Sequence, residues 1–373
     1  MPPRRRTTPL SPRRKADRLA RPGQQFFTIT PDWRGLTPES LAKAFVNYYV
    51  TSGLLERPNA ATIGADGLFH LSIASDQESL EILTKRGPLV ADRLLLSHAK
   101  IDRGNVVDES VEDPRRTKGW WWQRDLVPLE QTETVYAHGA DLTALGTYLR
   151  DVEPLISQGQ LTYIPRVTRQ KVVRDYLDET LGLWPDPGHE ETADLVPELL
   201  VSSGRVVEVV QNAYKARLLN PALTLELPYL EGTTLRDYCE IMVQESNALG
   251  ILQDHLRPKL LEITASPDTD EFHARIAALS SEISEGVRAV ASELKVTARR
   301  SAVQVTGGGL AVCTAALLAV EAEALAAVVS TIGATGGIWG LVTALQQSSE
   351  WRVKARTQPY YFLWVIDKHS QRS

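Results

Sequence analysis

The chain has 373 residues, 43% of them hydrophobic and 23% charged, with a formal charge of −5. That length corresponds to two or three structural units, and the composition excludes wholesale disorder, collagen and a polytopic transporter. The net charge argues against a uniformly basic nucleic-acid binder but conceals an asymmetry: residues 1–22 carry eight basic side chains against Asp17, a net of +7 that leaves −12 for the remainder.

Residues 1–22 interleave these charges with Pro2, Pro3, Pro9, Pro12 and Pro22. Too little apolar surface is present to offset the entropy of ordering, so a disordered tail is expected, either a handle for phosphate or anionic lipid or a solvated leader. No apolar run follows the basic residues, so they do not read as a signal peptide. Cys239 and Cys313 lie in helix-like runs without metal-ligand spacing, which speaks against a disulfide scaffold or zinc site and for a reducing cytoplasm. Arginine predominates among the basic residues, a bias of high-GC bacterial genes.

Structure is expected to begin at Phe26-Phe27-Thr28-Ile29-Thr30. A helix capped by Thr37 follows, with Leu41, Ala44, Phe45, Tyr48 and Tyr49 at helical spacing. Leu68–Ile73 and Leu89–Leu96 fit helix or strand equally. Val135–Ala137 reads as a strand, and Asp141 caps a helix whose Leu142, Leu145, Leu149, Val152 and Ile156 recur at intervals of three and four. Pro154 falls in its late turn, Gly159 stops it, and Leu161–Ile164 reads as a second strand. Strand, helix and strand with short links predict a βαβ unit with a parallel pair.

Residues 184–197 look like a loop. Leu223, Leu225 and Leu227 alternate with polar residues as in a half-buried strand. Thr233 or Thr234 caps a long helix through Leu235, Cys239, Met242, Leu249, Leu252 and Leu256, ended or kinked by Pro258. From Phe272 through Ile276, Leu279, Ile283, Val287, Val290 and Leu294 one apolar stripe marks a helix of about 30 residues. It is either a partner face for another protein or a second copy, or a helix packed on its own domain. Tyr360–Ile366 reads as a buried strand returning to the sheet.

Three segments, Pro88–Leu96, Val152–Ile156 through Tyr163-Ile164-Pro165, and Tyr360–Trp364, resemble a class of uncharacterised actinobacterial proteins. That resemblance implies no activity, cofactor or site residue.

The most informative region lies at 302–345. Ala302–Val320 contains no ionisable group except Cys313, Ala324–Leu345 contains none, and Glu321-Ala322-Glu323 separates them. At 19 and 22 residues each matches the roughly 20 that span a bilayer as a helix. Arg299 and Arg300 precede the pair, and Arg352, Lys354 and Arg356 follow it, so a two-pass hairpin with both termini cytoplasmic obeys the positive-inside rule. Gly333 and Gly337 form a small-xxx-small pair that lets helices approach closely, and Trp339 is an aromatic of the same stretch. The same residues would also serve a tightly packed helical pair in a soluble core, and both readings stand.

Chemistry-bearing clusters are few. Arg115-Arg116-Thr117-Lys118-Gly119 leads into Trp120-Trp121-Trp122, which reads as a pinned loop, as an interfacial or protein contact, or as a stacking platform for single strands. Asp186, His189, Glu190, Glu191 and Asp194 lack ligand spacing, because an HExxH motif would need His where Ala193 stands. His70, His98, His138 and His255 fall near predicted element ends. Ser202-Ser203-Gly204 lacks the GxSxG pattern, and Thr306-Gly307-Gly308-Gly309 lacks the P-loop lysine. The sequence identifies no catalytic residue and no small-molecule ligand, and no metal site or cofactor is expected.

The expected architecture is an α/β body with a mixed sheet and flanking helices over 23–268. A long helix and an Ala/Gly-rich apolar helical hairpin follow over 269–350, then the returning strand and tail over 351–373. The expected function is non-catalytic sensing or regulation at a lipid membrane, the inner membrane of a bacterium, with Trp120, Trp121, Trp122, Gly333, Gly337 and Trp339 as contacts. The alternatives are an enzyme or nucleic-acid binder with a site in the α/β body, and a soluble self-assembling protein that uses 272–294.

Overall fold

A computed structural model describes residues 22–51, 68–99, 104–112, 129–139, 141–175, 189–193, 197–306 and 355–371. Over these residues the chain forms a mixed α/β structure with flanking helices and a C-terminal helix. It divides into two compact units interleaved in sequence. The first comprises Met1–Thr224, Thr234–Gln244 and Leu256–Phe272, and the second Leu225–Thr233, Glu245–His255 and His273–Ser373. The expected 23–268 body therefore contributes two short segments to the second unit.

In the first unit, strands β1 (His70–Ser75), β2 (Arg93–His98), β5 (Leu161–Tyr163), β8 (Leu199–Ser202) and β9 (Arg205–Val209) form a sheet in the order β5-β2-β1-β8-β9. All pairs are parallel except β8–β9. Every residue of β1 and five of six in β2 are buried. Burial on both faces is the condition a parallel sheet requires, and it resolves the helix-or-strand ambiguity of both runs.

Helices α1 (22–29), α2 (Pro38–Thr51), α3 (Ser79–Arg86) and α4 (Leu142–Ser157) belong to this unit. The Phe26–Phe27 run is helical because Pro22, Gly23, Phe26 and Phe27 are buried at i, i+1, i+4 and i+5. Phe26 then packs on Phe45 of α2 at 5.1 Å between ring centroids, and Phe45 on Tyr163 of β5 at 6.1 Å. Both expected caps are present. Ser40 N donates to Thr37 Oγ1 at 3.2 Å, and Ala144 N to Asp141 Oδ1 at 2.9 Å. Gly146 is a packing requirement, since a Cβ there would lie 1.7 Å from the Pro38 carbonyl oxygen.

The βαβ expectation is corrected. β4 (Leu129–His138) joins β3 (Gly104–Glu112), β6 (Val167–Asp175) and β7 (His189–Ala193) in an antiparallel sheet of order β3-β4-β6-β7, so the strands either side of α4 lie in different sheets. After Leu129, β4 is polar until Val135, Tyr136 and Ala137 near its end. Its run of Glu130, Gln131, Thr132, Glu133 and Thr134 cannot be buried on both faces, as a parallel core strand must be. His189–Ala193, expected within a loop, is strand β7.

Helix α5 spans Ala213–Thr224. The expected strand at Leu223–Leu227 is also corrected: Leu223 and Thr224 form the end of α5, and 225–227 is an irregular link outside both sheets of the described residues. Leu225 and Leu227 are buried and Glu226 exposed, so the alternation is real but reports an extended connection. α6 (Pro228–Glu231) follows, and the expected long helix is two, α7 (Leu235–Gln244) and α8 (Ser246–Leu261). Thr234 caps α7, accepting from Asp237 N at 3.2 Å. Pro258 lies inside α8 without ending it.

In the second unit, α9 (Asp270–Thr306) runs 37 residues. The stripe from Ile276 through Leu279, Ile283 and Val287 to Val290 is buried within the single chain. The expected returning strand is corrected to helix α10 (Tyr361–Ser370). Tyr361, Phe362, Leu363 and Ile366 are buried while Trp364 and Val365 are half-buried. A short continuous apolar run carries no periodicity to distinguish the two states. α10 packs on α6.

Candidate functional site

Two places merit description, one in each unit. In a parallel sheet, ligands bind beyond the carboxyl ends of strands where the chain order reverses. Here the chain proceeds from β1 outward to β2 and β5, then resumes on the other side of β1 with β8, so the reversal lies between β1 and β8. Asp76 follows β1 directly. Its Oδ1 accepts from Ser79 N at 2.8 Å, and its Oδ2 accepts from Ser202 Oγ at 2.7 Å and Ser203 N at 2.8 Å. Partial burial pushes this carboxyl up, but the hydrogen bonds from Ser79, Ser202 and Ser203 outweigh it and hold the group below its ordinary value.

Beside it, His98 ends β2 in register with Ser75. Its Nδ1 lies 2.5 Å from the Tyr163 hydroxyl and its Nε2 2.8 Å from Gln77 Oε1. Burial pushes the imidazole down to about 4, against a smaller upward pull from Asp76. The ring is therefore neutral at pH 7, with Nε2–H donating to Gln77 and Nδ1 accepting from Tyr163. Ser203 (φ 51°) and Gly204 (φ 71°) form the two-residue turn between β8 and β9, the left-handed pair that tight hairpins favour. Gly204 N donates to Ser79 Oγ at 3.0 Å.

The cluster thus ties three loops together, and both nitrogens of its histidine are engaged. Asp76 supplies the anion at the start of α3 itself, which leaves no cradle for a phosphate. Sequence reasoning singled out His98 and the Ser202–Gly204 turn but missed Asp76. Its signal was an Asp directly after an apolar run and three residues before a serine that opens a helix.

The other histidines separate. His138 Nε2 lies 2.7 Å from Thr168 Oγ1 in the antiparallel sheet, His70 is buried at the start of β1, and His255 belongs to the second unit. Cys239 is buried in α7, and burial pushes its thiol well up. His189, Glu190 and Glu191 sit on β7 opposite Lys171, Gln170 and Arg169; Asp186 and Asp194 lie outside the described residues. So do Trp120, Trp121, Trp122, Gly333, Gly337 and Trp339. Among the described residues no group of His, Cys, Asp and Glu could hold a metal.

The second place is where the chain enters and leaves the uncharged region. α9 contains the first residues of it, Ala302 to Thr306, and the described chain resumes at 355. Gln358 Nε2 donates to Glu293 of α9, and the Tyr360 hydroxyl donates to Glu282 Oε1 at 3.0 Å. With its proton so directed, that hydroxyl accepts from His255 Nε2 at 2.9 Å. Burial, and then the Glu282 carboxylate, push the Tyr360 phenol up, so it stays protonated. Gly286 lets the ring approach, since a Cβ there would fall 2.1 Å from Tyr360 Cδ2. Arg356 donates to Glu245 Oε1 at 2.8 Å. The returning chain runs back along α9, passing Glu293 at position 358 and Glu282 at 360. Sequence reasoning identified neither Gly286 nor these carboxylates, because a single chain reading does not tell which residue meets Tyr360.

No helix of the described residues is long and apolar enough to cross a membrane, and 307–345 lies outside them. Comparison with protein-family models, curated proteins and solved structures finds no match.

Proposed function

We propose that the protein is a non-catalytic sensing or regulatory module that associates with a lipid membrane through residues 302–345. One observation carries the reading: the chain that leaves along α9 comes back to the same helix, at Glu293 and Glu282. A segment that departs and returns beside one helix makes an even number of passes if it enters a bilayer. Two uncharged stretches with basic outer flanks and an acidic turn suit such an entry. α9 carries its helical state into the first stretch, and helix is the state in which backbone groups are satisfied without water. Both termini then stay cytoplasmic, the basic tail adds attraction to anionic lipid, and Trp120–Trp122 supply interfacial contact.

The test compares the full chain with a variant in which 302–345 is replaced by a short Gly/Ser link. Each is mixed with vesicles of phosphatidylcholine and phosphatidylglycerol and floated on a density gradient. The full chain is expected to rise with the vesicles and the variant to remain below. A full chain that stays below in every lipid composition overturns the proposal.

A further inference from the structure

Glu282, Gly286 and Glu293 stand within about 40° of one another around α9, because the intervals between them complete nearly whole turns. They form one stripe, and the returning chain lies along it. Gln358 meets Glu293, the Tyr360 ring covers Gly286, and the Tyr360 hydroxyl meets Glu282. On its other side the ring meets His255 of α8 nearly perpendicular, with centroids 5.1 Å apart. All of these residues belong to the second compact unit.

Tyr360 has a single seat on this helix. Gly286 is the sole glycine of α9, and a Cβ there would fall 2.1 Å from Tyr360 Cδ2 and 2.4 Å from Cε2. At every other position a side chain holds the ring farther from the backbone, so Tyr360 cannot slide along the stripe and stay equally close. The seat is also anchored on one side. Trp364 N donates to the Tyr360 carbonyl at 3.0 Å, and α10 follows directly with Tyr361, Phe362, Leu363 and Ile366 buried. On the other side, residues 355–359 lead back toward the uncharged region, with Arg356 held by Glu245. A close-packed contact with one seat is made or broken as a whole, as a two-state element must be.

We propose, resting on the membrane reading above, that seating of Tyr360 on Gly286 regulates the lipid association of 302–345, the seated state being the one that binds lipid better. α9 is continuous from the seat to Thr306. Seating therefore holds the return of the chain against the same helix that leads out, the close side-by-side placement that paired helices need in a bilayer. With the ring unseated, that order has to be imposed during insertion, which weakens binding. By linkage, lipid that favours the seated state tightens the seat by the same factor.

Gly286→Ala fills the seat while giving α9 a better helix former, and Tyr360→Ala empties it. In flotation with phosphatidylcholine and phosphatidylglycerol vesicles, each is expected to need roughly ten times the lipid of the unaltered chain for half to rise, a ratio usual for linked sites. The double variant is expected to need no more than either single, because both remove one contact. Hydrogen exchange reads the reciprocal effect: vesicles are expected to slow the amides of 355–361 in the unaltered chain but not in Gly286→Ala. An unaltered chain that never floats overturns the membrane reading together with this regulation. If the unaltered chain floats, three results overturn the regulation alone. They are single variants that need equal or less lipid, a double variant whose losses multiply, and amides that vesicles leave unchanged or slow equally in Gly286→Ala.

Discussion

The two sheets of the first unit solve opposite problems. In the five-stranded sheet the parallel strands β1, β2 and β5 are buried on both faces, and Leu71, Ile73, Leu94 and Leu96 run through its centre. The antiparallel sheet is apolar at its root, where Val135, Ala137 and Val167 are buried. Farther along, its register sets Glu130 opposite Arg174, Glu133 opposite Lys171, and Arg169 opposite Glu191. One sheet is held by removal of apolar surface from water. Beyond its root the other is a backbone ladder with opposite charges in register, a kind of pairing worth less than about 1 kcal/mol each.

Three measurements sharpen this contrast. The largest effect is expected in the parallel sheet, where Ile73→Ala removes a fully buried side chain and should cost about 2–5 kcal/mol in urea denaturation. A loss below half a kilocalorie would mean that the sheet is not a core. Next comes His98, at the same sheet's carboxyl end. Its folded value, about 4, lies below the ordinary 6.5, so the unfolded chain takes the proton first. Its contribution is intact above pH 6.5 and is lost as pH falls toward 4, reaching about 3 kcal/mol. His98→Gln should flatten stability against pH over that window, and an unchanged slope would contradict the neutral buried ring. The smallest effect belongs to the antiparallel sheet. Lys171→Glu, which sets like charges across the ladder from Glu133, should cost no more than about 1 kcal/mol and diminish with added salt. A cost of several kilocalories would show that this sheet is as dependent on its side chains as the other.

The legibility of the chain follows the same division. α2, α4 and the stripe of α9 were readable because each has a cap or a 3.6-residue apolar period, and both are local properties. The strands of the antiparallel sheet were largely unread, since β3, β6 and β7 show no regular alternation of apolar and polar residues: the valines of β3 and β6 fall at adjacent as well as alternate positions, and β7 is almost wholly polar. Tyr360–Ile366 was misread as a strand because a short apolar run is compatible with either backbone, and 223–227 because an extended connection alternates burial as a strand does. The candidate sites were less legible still. His98 and Ser202–Gly204 stood out by residue type, but Asp76, Tyr163, Gln77 and Gly286 take their meaning from partners distant along the chain.

The amino-acid sequence by itself determined the two uncharged stretches 302–320 and 324–345, the basic tail, the caps and the amphipathic stripes, because each is set by residues within a few turns of one another. Only the tertiary structure decided that β4 and β5 belong to different sheets, that His98 is neutral between Tyr163 and Gln77, and that the chain returns to α9 at Glu282 and Glu293. Those outcomes depend on burial and on encounters between distant segments, and the free energy of such encounters is not written in any local pattern.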